Sequence, residues 1–134
     1  MTALRTEVMP IHSSEDVVRV RQAVRQWAVA LGFSLVDQTK IVTAASELAR
    51  NTLGYGGGGE AQLETLQNGN RAGLRLTFSD QGPGIANIEL ALKDGYTTGG
   101  GLGLGLSGAK RLSNEFEIFS RLGEGTRVSI TRWK

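Results

Sequence analysis

The chain has 134 residues, 40% of them hydrophobic and 21% charged, which is enough for one ordinary globular domain and tight for two. Its formal charge is only +2, and short basic clusters such as Arg19/Arg21/Arg25 and Lys110/Arg111 read as solvated helix faces, so nucleic acid is not an expected partner. There is no cysteine, no apolar run near the ~18 residues that span a bilayer and no signal-like stretch over Met1–Ile11; disulfides, thiolate zinc and a cysteine nucleophile are excluded, and a soluble, cytoplasmic protein without a membrane partner is expected.

In chain order, the first expected element is a strand over Arg5–Ile11, which Pro10 confines to a sheet edge or cuts short. Ser13 followed by Asp16 is a helix start signal, and Val17, Val20, Val24, Trp27 and Leu31 then recur at helical spacing until Gly32. Ser34 with Asp37 repeats the signal, and Ile41, Ala44, Ala45 and Leu48 carry a second helix to about Leu53. These two helices are expected to pack together. Alternation over Glu60–Leu66 and across Leu74, Leu76 and Phe78, joined by Asn68-Gly69, predicts an antiparallel hairpin.

The second strand of that hairpin runs straight into Asp80-Gln81-Gly82-Pro83-Gly84. Beyond it, Ile88–Leu92 reads as a short helical piece, Asp94–Gly101 as a lid-like loop and Leu104–Leu112 as a third helix. Phe116/Ile118 and Val128/Ile130 alternate on either side of Gly123-Glu124-Gly125, giving a last hairpin. Helices segregated on one face of a sheet are the simplest cover for these apolar strand faces. The expected fold is therefore an α+β two-layer sandwich, with a mixed, mostly antiparallel sheet, in a single domain over residues 1–134.

Glycine is the informative residue: of 19, five fall at positions 54–59 and nine between 82 and 108. Such clustering marks loops where the backbone bends or approaches something closely. Glu47 and Asn51, four apart on the second helix, project from one face and can share a site. An isolated pair of this kind is usually an ordinary polar helix face, but this one immediately precedes a glycine run. Asp80, at a strand end, can accept a hydrogen bond from an exocyclic amine such as that of adenine, with Gly82 and Gly84 letting the backbone lie against a ring. A plain turn built from Asp, Gly and Pro is the alternative. Gly99-Gly100-Gly101-Leu102-Gly103-Leu104-Gly105 opens the third helix, and unobstructed N–H groups running into a helix N-terminus form an anion cradle. The dinucleotide pattern Gly103-x-Gly105-x-x-Gly108 is rejected because it follows a loop where a strand is required.

Read together, Glu47-Leu48-Ala49-Arg50-Asn51, Asp80 through Ile85, Gly99 through Gly105 and Gly125-Thr126 resemble the N, G1 and G2 boxes of the GHKL, or Bergerat-fold, ATP-binding superfamily of gyrase, Hsp90, histidine kinases and MutL. Within it, the chain is similar to the bacterial anti-sigma-factor serine/threonine kinases, and Thr97–Gly100 through Lys110–Leu112 most resembles their RsbT-type stressosome switch kinases. The resemblance implies ATP and Mg²⁺ as cofactors, Asn51 as the Mg²⁺ ligand, and Glu47 as the general base of a protein serine/threonine kinase. It implies Asp80 for the adenine amine with Thr126 nearby, Gly82, Gly84 and Ile85 around the base, and Gly99, Gly100, Gly101, Leu102, Gly103, Leu104 and Gly105 along the phosphates.

Implied partners are a STAS-domain substrate and a PP2C-type phosphatase, with a sigma factor as a further candidate. Two alternatives stay open: an ATP-dependent anti-sigma binding module without kinase activity, and an ATPase in which Glu47 activates water. Arg50 has three readings: orienting Glu47, touching a partner, or an ordinary surface arginine. Tyr55-Gly56-Gly57-Gly58-Gly59 departs from the family pattern in its glycine content, which puts in doubt any side-chain contact from that loop to partner or phosphate. His12, the single histidine, is far in sequence from the boxes, so a self-phosphorylating histidine kinase is not expected.

Overall fold

Both long helices begin where a serine caps them. The computed structural model describes residues 2–93 and 105–134, so the lid-like loop Asp94–Gly101 and the residues through Leu104 lie outside it. Strand β1 (Thr2–Ile11) leads into helix α1 (Ser14–Ala30), where the Asp16 N–H donates to Ser13 Oγ at 3.2 Å and the Asp16 carboxylate accepts from the His12 N–H at 2.9 Å. Helix α2 (Leu35–Gly54) repeats the device, with the Asp37 N–H on Ser34 Oγ at 3.1 Å. Each such cap is worth about 1 kcal/mol. Gly32, at φ +82°, makes the left-handed turn between them that a residue with a Cβ resists.

The remaining elements are the hairpin β2 (Gly59–Asn68) and β3 (Arg71–Asp80), one turn α3 (Ile88–Ala91), helix α4 (Gly105–Arg111), and the hairpin β4 (Glu115–Ser120) and β5 (Thr126–Trp133). The strands form one sheet in the order β1-β2-β3-β5-β4. Every pairing among the described residues is antiparallel, so the mixed component allowed by the sequence is not found there. The two hairpins account for half of this, because a tight turn permits only antiparallel neighbours. β1 is an edge strand, which is why Pro10 sits in it without breaking the ladder and the strand continues to Ile11.

One face of the sheet supplies Leu63, Leu74, Leu76, Phe78, Val128 and Ile130 to the core. There they meet Val20, Val24 and Trp27 of α1, Ile41, Ala45 and Leu48 of α2, and Leu106 and Ala109 of α4. The guanidinium of Arg5 lies 3.9 Å from the Trp27 ring centroid and covers that edge of the core. The opposite face is a polar ladder. Arg75 meets Glu64 through two bonds of 2.9 and 3.1 Å, the Thr77 and Ser129 hydroxyls meet at 3.1 Å, and Trp133 Nε1 donates to Glu115 at 2.6 Å. Register thus puts every helix on one side, and the carboxyl end of β3 opens beside the C-terminal end of α2.

Candidate nucleotide site

The site is built around Asp80, the last residue of β3, which pairs with Gly59 on one side and Thr126 on the other. Strand alternation turns its side chain to the helix face, in line with Leu76 and Phe78, and it is only 9% exposed. Burial pushes its carboxyl above the ordinary value of 3.8, while the main-chain N–H groups of Gly82, at 2.9 Å from Oδ1, and of Thr126 pull the other way. Burial wins because two neutral donors replace only part of the lost hydration.

The space around this carboxylate exists because Gly56 lacks a side chain. A Cβ on Gly56 would stand 2.5 Å from Asp80 Oδ2, and one on Gly82 would stand 2.7 Å from the Gly56 Cα. The glycine run after α2 is therefore what brings the helix end against the end of β3. Gly84, at φ +76°, turns the chain beneath Arg121, whose carbonyl fills the place a Cβ would need. The Tyr55 hydroxyl donates to the Gly84 carbonyl at 2.7 Å and ties this turn to the same glycine run.

Ser120, which the sequence did not single out, joins the remaining pieces. Its Oγ accepts from the Ile85 N–H at 2.7 Å, donates to the Gly125 carbonyl at 3.1 Å and meets Thr126 Oγ1 at 2.7 Å. A signal was present: alternation in β4 puts Ser120 in the inward register of Phe116 and Ile118, where a hydroxyl requires a partner. Ile85 and Thr126, both singled out from sequence, thus lie on one hydroxyl beside Asp80.

Glu47 and Asn51 occupy adjacent turns of α2. The Glu47 side chain is 16% exposed, and its Oε1 receives Arg50 Nη1 at 3.1 Å, with Arg50 itself 55% exposed at the rim. The Asn51 carbonyl accepts from the Tyr55 and Gly56 N–H groups at 3.0 and 2.9 Å, which links the pair to the glycine run against Asp80. Asn51 also faces the start of α4, since a Cβ on Gly105 would come no nearer to it than 3.9 Å from Nδ2. The Asn51 residue is half-buried, and its hard carboxamide oxygen would suit a magnesium ion that keeps most of its own waters. The buried carboxylate, with its raised affinity for a hydrogen-bond donor, suits an exocyclic amine. Gly99, Gly100, Gly101, Leu102, Gly103 and Leu104 lie outside the described residues.

A two-layer α+β sandwich with an acidic residue at an inner strand end and an acid–amide pair on the facing helix defines a class of nucleotide-binding proteins. The profile of the histidine kinase-, DNA gyrase B- and HSP90-like ATPases matches residues 36–134. The chain is 47% identical over 118 residues, 88% of its length and 89% of the relative's, to the serine/threonine-protein kinase RsbT of Bacillus subtilis. It is 29% identical over 126 residues, 89% of its length and 85% of the relative's, to an anti-sigma F factor of Anoxybacillus flavithermus. The chain belongs to this ATPase family and, within it, to the serine/threonine-protein kinases.

Two solved structures share the fold. The RsbU and RsbW domains of a Mycobacterium tuberculosis protein align over 97% of this chain and 33% of that one, with TM-score 0.63 and 19% identity. The SiaB–SiaC complex of Pseudomonas aeruginosa aligns over 98% of this chain and 91% of that one, with TM-score 0.54 and 16% identity. Among the described residues no helix is long and apolar enough to cross a membrane.

Proposed function

We propose that this protein moves the γ-phosphoryl group of ATP onto a serine or threonine of a STAS-domain antagonist or scaffold protein, and so acts as a partner switch in sigma-factor or stress signalling. The observation that carries the reading is the acid–amide pair of α2: Asn51 faces Gly105, Glu47 lies one turn before it, and Gly56, just after it, abuts Asp80. The relative named as a serine/threonine-protein kinase supports the reaction class.

In this reading Asp80 accepts from the adenine amine, which selects ATP over GTP, and Gly82, Gly84, Ile85 and Thr126 surround the base. The Asn51 carboxamide oxygen would hold Mg²⁺, which would supply positive charge to offset that of the phosphates. By sequence, Gly99 through Gly105 supply main-chain N–H groups to the phosphates. The acceptor hydroxyl oxygen bonds to the γ-phosphorus as the bond to the bridging oxygen breaks. ADP leaves, and Glu47 takes the hydroxyl proton. The protein works as one domain in the cytoplasm, and its release from the phosphorylated scaffold activates a PP2C-type phosphatase.

The test is incubation with labelled ATP and the STAS proteins encoded nearby. A general base contributes roughly 10²–10⁴-fold, so Glu47→Ala should lower transfer by that order while leaving MgATP binding within a few-fold. Transfer unchanged in Glu47→Ala overturns the assignment. A second reading, an ATP-dependent anti-sigma module, is favoured by the Arg50 contact that occupies one oxygen of Glu47. Nucleotide-dependent partner capture with no phosphate on the partner decides for it.

A further inference from the structure

Arg132, on β5, is 13% exposed and holds two elements at once: Nη2 donates to Asp37 Oδ1 at 2.7 Å, and Nη1 donates to the Leu112 carbonyl at 2.9 Å. Asp37 lies in the first turn of α2, and Leu112 directly follows the last residue of α4. The guanidinium is therefore a fixed spacer between the N-terminal end of one helix and the C-terminal end of the other. The opposite ends of the same two helices meet where Asn51 faces Gly105. Between these ends α2 and α4 pack directly on each other, with Leu106 and Ala109 in the core shared with Ala45 and Leu48, so a shift at the pinned end is carried to the other.

The chemistry fits a spacer better than a simple stabiliser. Arg132 Nε is buried with no hydrogen-bond partner among the described residues, so the group bears an unpaired donor to hold its two acceptors. A largely buried arginine paired with a half-exposed carboxylate is often matched in stability by apolar residues of similar volume, which offer no fixed fork between two acceptors. The carboxylate is committed as well: the Arg132 hydrogen bond holds the Asp37 carboxyl below its ordinary value. A cation at the carbonyl end of α4, where Lys110 and Arg111 also lie, favours that end of the helix.

We propose that Arg132 is a positioning residue for phosphate binding: through Asp37 and Leu112 it sets the gap between α2 and α4 in which the triphosphate of the nucleotide sits. The inference rests on the ATP reading above. Asp80, at the far side of the site, touches neither helix end that Arg132 holds, so the base pocket and the phosphate gap respond separately to this residue.

The experiment titrates MgATP and adenosine into the wild-type chain, Arg132→Met and Asp37→Asn, with circular dichroism confirming the fold of each. Expected in Arg132→Met is adenosine affinity within about twofold of wild type and MgATP affinity about tenfold lower, which is about 1.4 kcal/mol by the binding relation. Asp37→Asn, which keeps the Leu112 contact, should shift MgATP in the same direction by less, and the double variant should be no worse than Arg132→Met. Where Arg132→Met does not fold, Asp37→Asn carries the same comparison. Equal losses for both ligands, or unchanged MgATP affinity in folded variants, overturn the inference. A wild-type chain that binds neither ligand overturns the ATP reading itself, before any variant is measured.

Discussion

Gly56 and Asp80 are in direct contact, so close that a Cβ on the glycine would stand 2.5 Å from the carboxylate Oδ2. The carboxylate cannot retreat, because Gly82 holds its other oxygen and the main chain of Asp80 is paired on both sides. Gly56→Ala should therefore behave as an overpacked core substitution. A loss of about 1–3 kcal/mol in denaturant melts is expected. Nucleotide affinity measured by calorimetry should fall with it, since Asp80 would be pushed out of register. A variant with unchanged melts and unchanged affinity would mean that Asp80 moves freely.

The same pair shows where sequence reasoning reaches and where it stops. Caps and faces were legible because they are short-range: Ser13 and Ser34 bond three residues ahead, and alternation assigns Leu74, Leu76 and Phe78 to one side. Asp80 was legible by its place at a strand end. Gly56 was visible only as excess glycine, because its reason is a contact 24 positions away that no local period encodes. Arg132 was invisible for a like reason, and Ser120 left only the trace of its inward register in β4. Arg132 finds Asp37 across 95 positions, although the sequence showed Asp37 only as a helix start signal.

Asp80→Asn separates stability from binding. Burial raises the folded-state value of this carboxyl above the ordinary one near 3.8. Its contribution to stability is thus fully present below the ordinary value and is lost as pH rises through the raised folded value. At pH 7 the ionised group is a liability that asparagine, of the same shape, lacks. The variant should melt at the same or a higher temperature than wild type at pH 7, and that advantage should shrink as pH falls toward 4. ATP affinity should drop about 10–100-fold, since a hydrogen bond to a charged group contributes about 1.5–3 kcal/mol. A variant that is both less stable at pH 7 and unchanged in affinity contradicts the assignment twice.

Asp37 titrates in the opposite sense. Its carboxyl is held below the ordinary value first by the Arg132 hydrogen bond, so its contribution is present above that value and fades as pH falls through the lowered one. Asp16 behaves alike through the His12 main-chain bond. Wild type should lose stability on acidification below about pH 4, and the gap between wild type and Asp37→Asn should close over that window. The measurement is a set of urea midpoints from pH 7 down to 3 for both proteins. A gap that stays constant across that range would assign the effect of Asp37 to packing rather than charge.

Arg50 tests whether Glu47 needs an escort. The pair is 3.1 Å apart, with the arginine more than half exposed, so it belongs to the class of rim ion pairs that contribute about 0–1 kcal/mol. Arg50→Ala should leave the melting temperature nearly unchanged. If the guanidinium orients the carboxylate for proton removal, turnover should fall by up to about fivefold at saturating ATP, the rate equivalent of about 1 kcal/mol, with the KM for ATP constant. If the same contact instead withholds the carboxylate from water, partner-free ATP hydrolysis should rise when it is removed. Arg50→Lys, which keeps the charge but not the planar fork, should lie between the two proteins under the orienting role. The orienting role is expected, because Glu47 is the less exposed partner and has little freedom of its own. Hydrolysis that rises while transfer holds steady would assign Arg50 to restraint.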